Sequence, residues 1–400
     1  MPSLTSQERI LRTIAGKPVD RTPLFAPIPW HPLALPPAPG DWKAAPNYRR
    51  LVALAETHCD FFVQLEIPER QPFRNAGQTY AMQGVPEGIF DRRFLLASPD
   101  RVELCGESQR DGQRLLQYRV HTPRGALTTT EAVLAGEDTV WELEPLLKDP
   151  DDAAKLLAMP HRFDPPDMSG YLAARERLGA RGVAVCFVSS PLVMVSRLVG
   201  FERFLEWSVT ERPLVERLIA TAAERVAERL HFILAQGAGP IIRFGGCEQA
   251  TPPMMSGRMF DRFVLGYERP LWQMVRDAGR IAWVHCHGRV ATVLDKFVDA
   301  GVQMLDPVEP PPQGDITLAE ARRRAARGPL TLVGNIEWSD LEQRTPAQIE
   351  ALVERAVADG GSDHLILAAS AEAISAVGDR LAGNIAAFID AGAKYGRLDH

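Results

Sequence analysis

The sequence has no apolar run approaching the length of a membrane-spanning helix, and no block of like charge that would indicate a nucleic-acid-binding surface. Its formal net charge of -6 at pH 7 is ordinary for a soluble protein. Met1–Lys17 carries charges where a signal peptide needs an apolar core. We therefore expect a cytoplasmic protein that binds neither nucleic acid nor membrane.

Cysteine is also scarce. The chain has 5 cysteines, an odd number, and they are scattered from Cys59 to Cys286. This pattern argues against a disulfide framework and for a reducing compartment. A Gly-rich dinucleotide-binding fingerprint is missing after the first predicted strand, which disfavours an open, doubly wound sheet.

What the sequence does contain is a regular alternation of short apolar segments with helical segments. Such alternation predicts a parallel sheet, and eight units over 400 residues fit one α/β domain, a (β/α)8 TIM barrel spanning residues 1–400. The predicted strands are Leu24–Ile28, Phe61–Glu66, Val183–Ser190, Pro240–Phe244, Arg280–His287, Val302–Val308, Leu330–Ile336 and His364–Ala369.

Residues from about 70 to 145, after the second predicted strand, have a different character. Arg114–Thr122 alternates polar and apolar residues, Pro123–Gly125 makes a turn, and Ala126–Val133 runs back. This pattern is typical of a β-hairpin. We expect a β-rich insertion that covers or extends one rim of the barrel.

Polar residues collect at the predicted strand ends, where the active site of a (β/α)8 barrel lies. Some of them have an equally plain structural role: Glu66 could pair with Arg70, Asp306 could cap a turn, and Asn335 could satisfy loop amides. The full set on this rim is His31, Glu66, Ser189, Ser190, Arg243, Cys247, Glu248, His285, His287, Asp306, Glu309, Asn335, Glu337, Ser370 and Glu372.

The most informative stretch is Trp283–Arg289, which is typical of a strand end running into a glycine turn. Side chains two apart on a strand point the same way, so His285 and His287 share one face. Two adjacent imidazoles could hold a metal ion, bind an anion or shuttle protons. The alternative is one buried, hydrogen-bonded histidine and one exposed histidine. If both face the barrel interior, so does Trp283, which is large for that position.

Two histidines alone do not make a tight metal site, because a catalytic zinc usually has three protein ligands and an open position. The third ligand could be Glu248, Cys247 or Glu372, all on predicted rim loops. A His/His/Glu set could hold zinc, iron or manganese. Without metal, the same pair could protonate a carbanion or bind a carboxylate.

At this point the motifs resemble those of the uroporphyrinogen decarboxylase superfamily, which includes the methylcobamide:coenzyme M methyltransferases and related corrinoid-linked enzymes. The resemblance spans nearly the whole chain and implies a (β/α)8 barrel. Because relatives often pair, it also implies a homodimer. The motifs that carry it are Arg9–Pro23, Met255–Leu265, His285–Gly288, Asp306–Pro311 and Gly334–Ile336.

The chain departs from both subgroups of this superfamily. The methyltransferases bind zinc through a His-x-Cys-Gly motif and a later cysteine; here His285 matches, but His287 replaces the first cysteine, and Ala369–Glu372 contains no cysteine. The decarboxylases' Met-Arg-Gln-Ala-Gly-Arg signature is absent. Their acid after strand two is matched by Glu66, and their tyrosine after strand three falls at Arg197.

The resemblance therefore predicts a metal-assisted methyltransferase or demethylase. It would move a methyl group between a small methylated compound, or a corrinoid carried by a partner protein, and a thiol or pterin acceptor. The first alternative is a metal-free, decarboxylase-like lyase that uses Glu66 and a histidine acid, and the second is a non-catalytic ligand-binding barrel. The roles implied are His285, His287 and Glu248 or Glu372 as ligands of zinc or another divalent metal, His31, Arg197 and Arg243 as substrate-binding residues, and Glu66, Asp306 and Asn335 as catalytic residues.

Overall fold

The computed structural model describes residues 3–38, 40–65, 67, 102–134 and 140–398. These residues contain two β-sheets. The strands are β1 (Phe62–Gln64), β2 (Val102–Arg110), β3 (Gln113–Thr122), β4 (Gly125–Leu134), β5 (Val140–Glu144), β6 (Val183–Ser189), β7 (Ile241–Gly245), β8 (Ile281–His285), β9 (Met304–Asp306), β10 (Thr331–Ile336) and β11 (Leu365–Ala369).

The main sheet is parallel and has 7 strands in the order β1-β6-β7-β8-β9-β10-β11. Each of these strands coincides with one predicted from the sequence after the first. The strictly sequential order is the one that right-handed strand–helix–strand units produce as they curl round. The alternation of apolar and helical segments in the sequence therefore correctly predicted the α/β class and the parallel sheet.

The first predicted strand, Leu24–Ile28, is present only as isolated bridges. Leu24 pairs with Leu367 of β11, and Phe25 pairs with Asp60 just before β1. Prolines flank and interrupt this segment, and proline cannot donate to a strand ladder. The sheet is thus a curled sheet of 7 strands whose two edges approach a short bridging segment, rather than eight full strands.

Alternate residues of the parallel strands face the inside of the curl. They form an apolar cluster that also includes Ile10 and Ile14 of the first helix, which packs against this interior. Trp283 belongs to the cluster and is only 2% exposed, with its ring 4.9 Å from that of Phe62. The large side chain at this position is therefore accommodated inside the curl.

Helices flank the main sheet. Thr5 and Thr345 begin α1 and α13 with complete capping boxes. A π-helical segment, Asp261–Leu265, joins α8 to α9. The helices are α1 (Ser6–Ile14), α2 (Pro46–His58), α3 (Pro150–Leu157), α4 (Ser169–Leu178), α5 (Pro191–Val199), α6 (Phe201–Thr210), α7 (Arg212–Ala235), α8 (Gly257–Phe260), α9 (Gly266–Asp277), α10 (Leu294–Asp299), α11 (Leu318–Ala325), α12 (Trp338–Gln343), α13 (Pro346–Gly360) and α14 (Asp379–Tyr395).

The second sheet is antiparallel, with 4 strands in the order β2-β3-β4-β5. β3 and β4 pair from Gln113 with Leu134 to Thr122 with Gly125, at the turn expected from the sequence. The predicted insertion boundaries, about 70–145, fall partly on residues outside those described. No helix in the described part of the chain is long and apolar enough to cross a membrane.

Candidate active site

The candidate site lies where three neighbouring parallel strands end. Gly245 at the end of β7 is in register with His285 of β8, and His285 is in register with Asp306 of β9. Arg243 is two residues before Gly245, on the same face as the apolar interior cluster. The parallel register therefore brings side chains from distant parts of the sequence to one edge of the sheet.

Asp306 joins this group together. Its Oδ2 accepts a hydrogen bond from Arg243 Nη2 at 2.6 Å and lies 2.7 Å from His285 Nδ1. Burial raises the pKa of Asp306, but the charges of Arg243 and His285 outweigh it and hold that pKa well below its usual range. Asp306 is therefore an ionised carboxylate, which can only accept hydrogen bonds.

It follows that Nδ1 of His285 carries a proton and donates it to Asp306. Arg243 Nη2 lies 2.8 Å from the same Nδ1, but both atoms are then donors, so their shared acceptor is the carboxylate. Within the described residues, no hydrogen bond engages Nε2 of His285. This nitrogen is the one that His285 offers to a ligand.

His287 repeats the arrangement with a different acid. Its Nδ1 lies 2.8 Å from Glu309 Oε1, and the other Glu309 oxygen accepts a hydrogen bond from the Gly288 amide. Burial lowers the pKa of His287, but the hydrogen bond and the charge of Glu309 raise it above its usual value. Burial raises the pKa of Glu309, and His287 and the Gly288 amide lower it overall. The second histidine is thus also held through Nδ1 by a carboxylate.

The two imidazoles contact each other edge to face, with ring centroids 4.5 Å apart and planes at 86°. Both belong to carboxylate–histidine pairs, the arrangement that orients histidine ligands in metal sites. Among the described residues, however, no group of three or more His, Cys, Asp or Glu side chains is placed to hold a metal ion. The two imidazole nitrogens are suitable metal donors, but no third protein ligand among the described residues is in place beside them.

Glu248 and Glu372 are the two acids expected to complete such a set. Glu248 Oε2 accepts a hydrogen bond from the Gly246 amide at 3.0 Å, and its charge acts on His287. Glu372 interacts instead with the charges of Arg243 and Lys43, while desolvation raises its pKa. Its side chain is exposed to water.

Arg243 connects the site to the apolar interior beneath it. Its guanidinium carbon lies 4.6 Å from the centre of the Trp283 ring, within cation–π range. A side chain at Gly245 would meet Phe187 at 2.9 Å, so this glycine leaves room for the groups at the strand end. Arg243, expected to bind substrate, is therefore a fixed part of the Asp306–His285 cluster.

The other predicted residues are placed less centrally. His31 is half-buried, accepts a hydrogen bond from the Leu33 amide at 3.1 Å, and has its pKa lowered by burial. Arg197 is half-buried on α5, after β6. Asn335 is half-buried on β10, on the same face as the interior residue Val333. Glu66 lies outside the described residues.

Two residues to which sequence reasoning gave no role are central here. Glu309 is the partner of His287, and Glu337 lies close enough for the charges of Glu309 and His287 to act on it. Both acids lie on the predicted rim, and their position there is the one sequence feature that could have identified them. Sequence does not show which acid faces which histidine, because their pairing depends on contacts across strands.

Glu337 is 5% exposed, and its Oε2 accepts a hydrogen bond from Ser370 Oγ at 3.2 Å. Its Oε1 is buried and has no partner among the described residues. Burial and the nearby charge of Glu309 raise the pKa of Glu337 to about 7. This carboxyl group can therefore hold a proton near neutral pH.

A second buried acid lies behind the loop that follows β7. Glu268 of α9 is 1% exposed and accepts a hydrogen bond from Ser190 Oγ. Burial raises its pKa to about 8, and the charge of Glu248 adds to the effect. The buried free thiols of Cys247 and Cys286 contact each other in the same region. These groups pack beneath the loop that presents Glu248.

The chain was compared with known proteins. The family model described as uroporphyrinogen decarboxylase matches residues 139–395. A solved structure, a methyltransferase from Methanosarcina mazei, is similar with a TM-score of 0.59 at 15% sequence identity, and the alignment covers 98% of this chain and 99% of that chain. A likeness at that identity shows the fold alone. No curated protein matches the chain.

Proposed function

Because the chain belongs to the uroporphyrinogen decarboxylase family, we propose that it is an enzyme that transfers a methyl group at the His285–His287 centre. The donor would be a small methylated compound, or a corrinoid carried by a partner protein, and the acceptor would be a thiol or a pterin. The observation that carries this proposal is that both imidazoles are held through Nδ1 by carboxylates. No hydrogen bond among the described residues engages either Nε2 atom, so both are available to a ligand.

We propose that zinc or another divalent transition metal is that ligand. His285 and His287 would bind it through Nε2, and Glu248 or Glu372 would complete the protein ligand set. Glu248 is favoured because its charge already acts on His287. A bound metal would supply Lewis-acid chemistry, lowering the pKa of an acceptor thiol or polarising the methylated substrate.

The remaining residues would prepare this centre. Asp306 and Glu309 keep the Nδ1 protons of the two histidines in place, which fixes both tautomers and both ring orientations. Arg243 balances the charge of Asp306 and, from above Trp283, presents a cation to an anionic substrate group. Asn335, on the interior face of β10, would orient the substrate by hydrogen bonding.

The alternative is a metal-free lyase of the decarboxylase type. Two observations favour it: no three-ligand group exists among the described residues, and Glu337 holds a proton near neutral pH beside the His287–Glu309 pair. In that case His287 or Glu337 would return a proton to the carbon that loses carbon dioxide. Glu66 would bind the substrate, as the family resemblance implies.

The test is the metal content of purified protein, measured by plasma mass spectrometry beside the His285→Ala/His287→Ala double variant. The matched control is His121→Ala/His161→Ala, which removes two imidazoles that contact glutamates away from this centre. We expect near-stoichiometric metal in the wild type and the control, and loss of that metal in the first variant.

The outcome also separates the two chemistries. Metal that is lost only with His285 and His287 directs the assay to methylated donors with thiol acceptors, where chelation should abolish turnover. A purified protein that holds no metal, and takes up none when incubated with zinc, iron or manganese, would contradict the proposal of metal-assisted methyl transfer. Decarboxylation that survives chelation would then support the lyase.

A further inference from the structure

A second cavity lies away from the histidine centre. It has a volume of about 660 Å³, and its lining includes Asp60 and Phe61, which lie just before β1, and Arg181, which lies just before β6. His285 and His287 instead follow β8. Because all strands of the main sheet are parallel, the starts and the ends of the strands lie at opposite edges. This cavity, here called the lower cavity, is therefore separate from the candidate active site.

The acids that line the lower cavity are largely satisfied within the fold. Asp60 is fully buried and accepts hydrogen bonds from Arg9 Nη1 at 2.6 Å, Arg21 Nη1 at 2.7 Å and the Leu24 amide at 3.1 Å. Asp20 accepts from Arg9 Nε and Nη2, each at 2.7 Å. Arg9 is thus committed to two carboxylates, and these charges cancel inside the wall.

Cationic groups remain on the wall after this cancellation. Arg181 and Arg397 line the cavity and are exposed, and Arg181 also donates to the carbonyls of Pro32 and Arg177. Among the described residues, Glu56 is the third acid of the lining. Arg21 and Arg397 are also paired in an isolated antiparallel bridge, which sets their side chains on the same side. Because Asp60 already balances the charge of Arg21, the guanidinium of Arg397, which has no ion pair among the described residues, is the charge left beside it for an anion.

The wall also offers a flat apolar surface. Trp30 lines the cavity and packs edge to face on Phe61, with ring centroids 5.2 Å apart. The cavity volume is within the range of small-molecule pockets. Guanidinium groups match the oxygens of carboxylates and phosphates in bidentate fashion.

We propose that the lower cavity binds a small organic anion, whose carboxylate or phosphate group lies between Arg21 and Arg397 and whose apolar part rests on Trp30. This site is independent of the chemistry at the histidine centre. It gives the enzyme a second ligand-binding position near the opposite edge of the sheet.

The test is isothermal titration of the full chain at constant ionic strength with two probes, benzoate for the carboxylate and phenyl phosphate for the phosphate. We expect saturable binding of at least one probe, and the tighter one identifies the anion class. Arg397→Gln should weaken it by about tenfold, as expected for loss of one charge-assisted contact. Arg181→Gln is a second variant, and because both arginines are exposed, circular dichroism should show intact folds.

Two controls make the result specific. Arg50→Gln removes an exposed arginine on α2 that does not line the cavity, and binding should not change. The His285→Ala/His287→Ala variant should also bind normally, which distinguishes the lower cavity from the site that contains Arg243. No saturable binding of either probe would overturn the proposal. So would binding that is unchanged in both Arg397→Gln and Arg181→Gln.

Discussion

Two layers of the same sheet interior, two residues apart along each strand, are held together by opposite physical effects. In the lower layer, side chains are apolar and packed; in the upper layer, they are charged and paired. The lower residues of β7, β8 and β9 are Ile241, Trp283 and Met304, and the upper residue of each strand follows two positions later, namely Arg243, His285 and Asp306. The register sets Arg243 opposite Trp283, and its side chain reaches Asp306. Both layers are largely shielded from water, so the difference is not one of exposure alone.

This difference indicates that the lower layer stabilises the fold, whereas the upper layer depends on the fold for its position. Burying apolar surface is favourable by itself, at roughly 25 cal/mol per Å². Burying charges costs free energy unless each charge is paired and hydrogen-bonded. The upper layer meets this condition in part: Asp306 Oδ2 contacts Arg243 and His285, whereas Asp306 Oδ1 and Arg243 Nε are buried without a partner among the described residues. The contact of Arg243 with the Trp283 ring joins this layer to the apolar one. A group of buried charges whose polar atoms are not all satisfied within the fold is a candidate for function.

The largest effect should come from emptying the lower layer. We expect Trp283→Ala to lower the free energy of unfolding by about 3–5 kcal/mol, because it removes a buried aromatic ring and leaves a cavity. Arg243 would also lose the ring beneath it. Urea denaturation, followed by circular dichroism, measures the change.

The control for this experiment is Trp141→Ala, since Trp141 is 53% exposed on the antiparallel sheet. Its effect should be within about 0.5–1 kcal/mol, as for most surface substitutions. Equal decreases in the free energy of unfolding of the two variants would contradict the claim that packing in the lower layer stabilises the fold more than surface contacts do.

The lower layer was also the part that sequence reasoning predicted best. Apolar segments of strand length, separated by helical segments, placed the strands because burial on both faces leaves a direct mark in the sequence. The strand that failed, Leu24–Ile28, is the one whose prolines remove ladder donors. Alternation along β8 also correctly placed His285 on the same face as Trp283.

The pairings of the upper layer could not be predicted in the same way. Asp306 and Glu309 were both on the predicted rim, yet sequence does not show that they face His285 and His287 respectively. That pairing depends on the register between β8 and β9 and on the loop after β9. The elevated pKa of Glu337 depends on burial and on a neighbouring charge, neither of which leaves a local sequence pattern.

A smaller effect is expected from the upper layer when Asp306→Asn removes the central charge. We expect a loss of about 2 kcal/mol in the free energy of unfolding at pH 7, because the hydrogen bonds from Arg243 and His285 lose their anionic acceptor and the charge of Arg243 loses its partner. Because the folded-state pKa of Asp306 is lowered, its contribution is present above the unfolded value of 3.8 and is lost as pH falls further. The difference from wild type should therefore shrink in acid.

Asp295→Asn is the matched control, because Asp295 pairs with Arg324 at 2.9 Å on a more exposed surface. It should cost less than about 1 kcal/mol. Asp306→Asn should in addition reduce metal content if His285 is a ligand, since Nδ1 loses the acceptor that fixes its tautomer. A stability loss no larger than that of Asp295→Asn would mean that the upper layer is not held by this carboxylate.

The smallest effect concerns pH and should appear only in the upper layer. The folded-state pKa of Glu337 is raised to about 7 from 4.5, so the folded protein holds this proton more tightly than the unfolded chain. Its contribution to stability is complete below about pH 4.5 and is lost as pH rises towards and through 7. Glutamine has no ionisable proton at this position, and its amide can still contact Ser370. We therefore expect the free energy of unfolding of Glu337→Gln to rise by about 1–2 kcal/mol relative to wild type between pH 5 and pH 8, less than the full shift because coupled neighbours titrate as well.

The control is Glu354→Gln, an exposed substitution on α13, which should leave the pH dependence of stability unchanged. Urea denaturation at several pH values measures all three proteins, and parallel curves would mean that Glu337 is already ionised in the fold. The same result would remove the proton donor on which the lyase alternative depends.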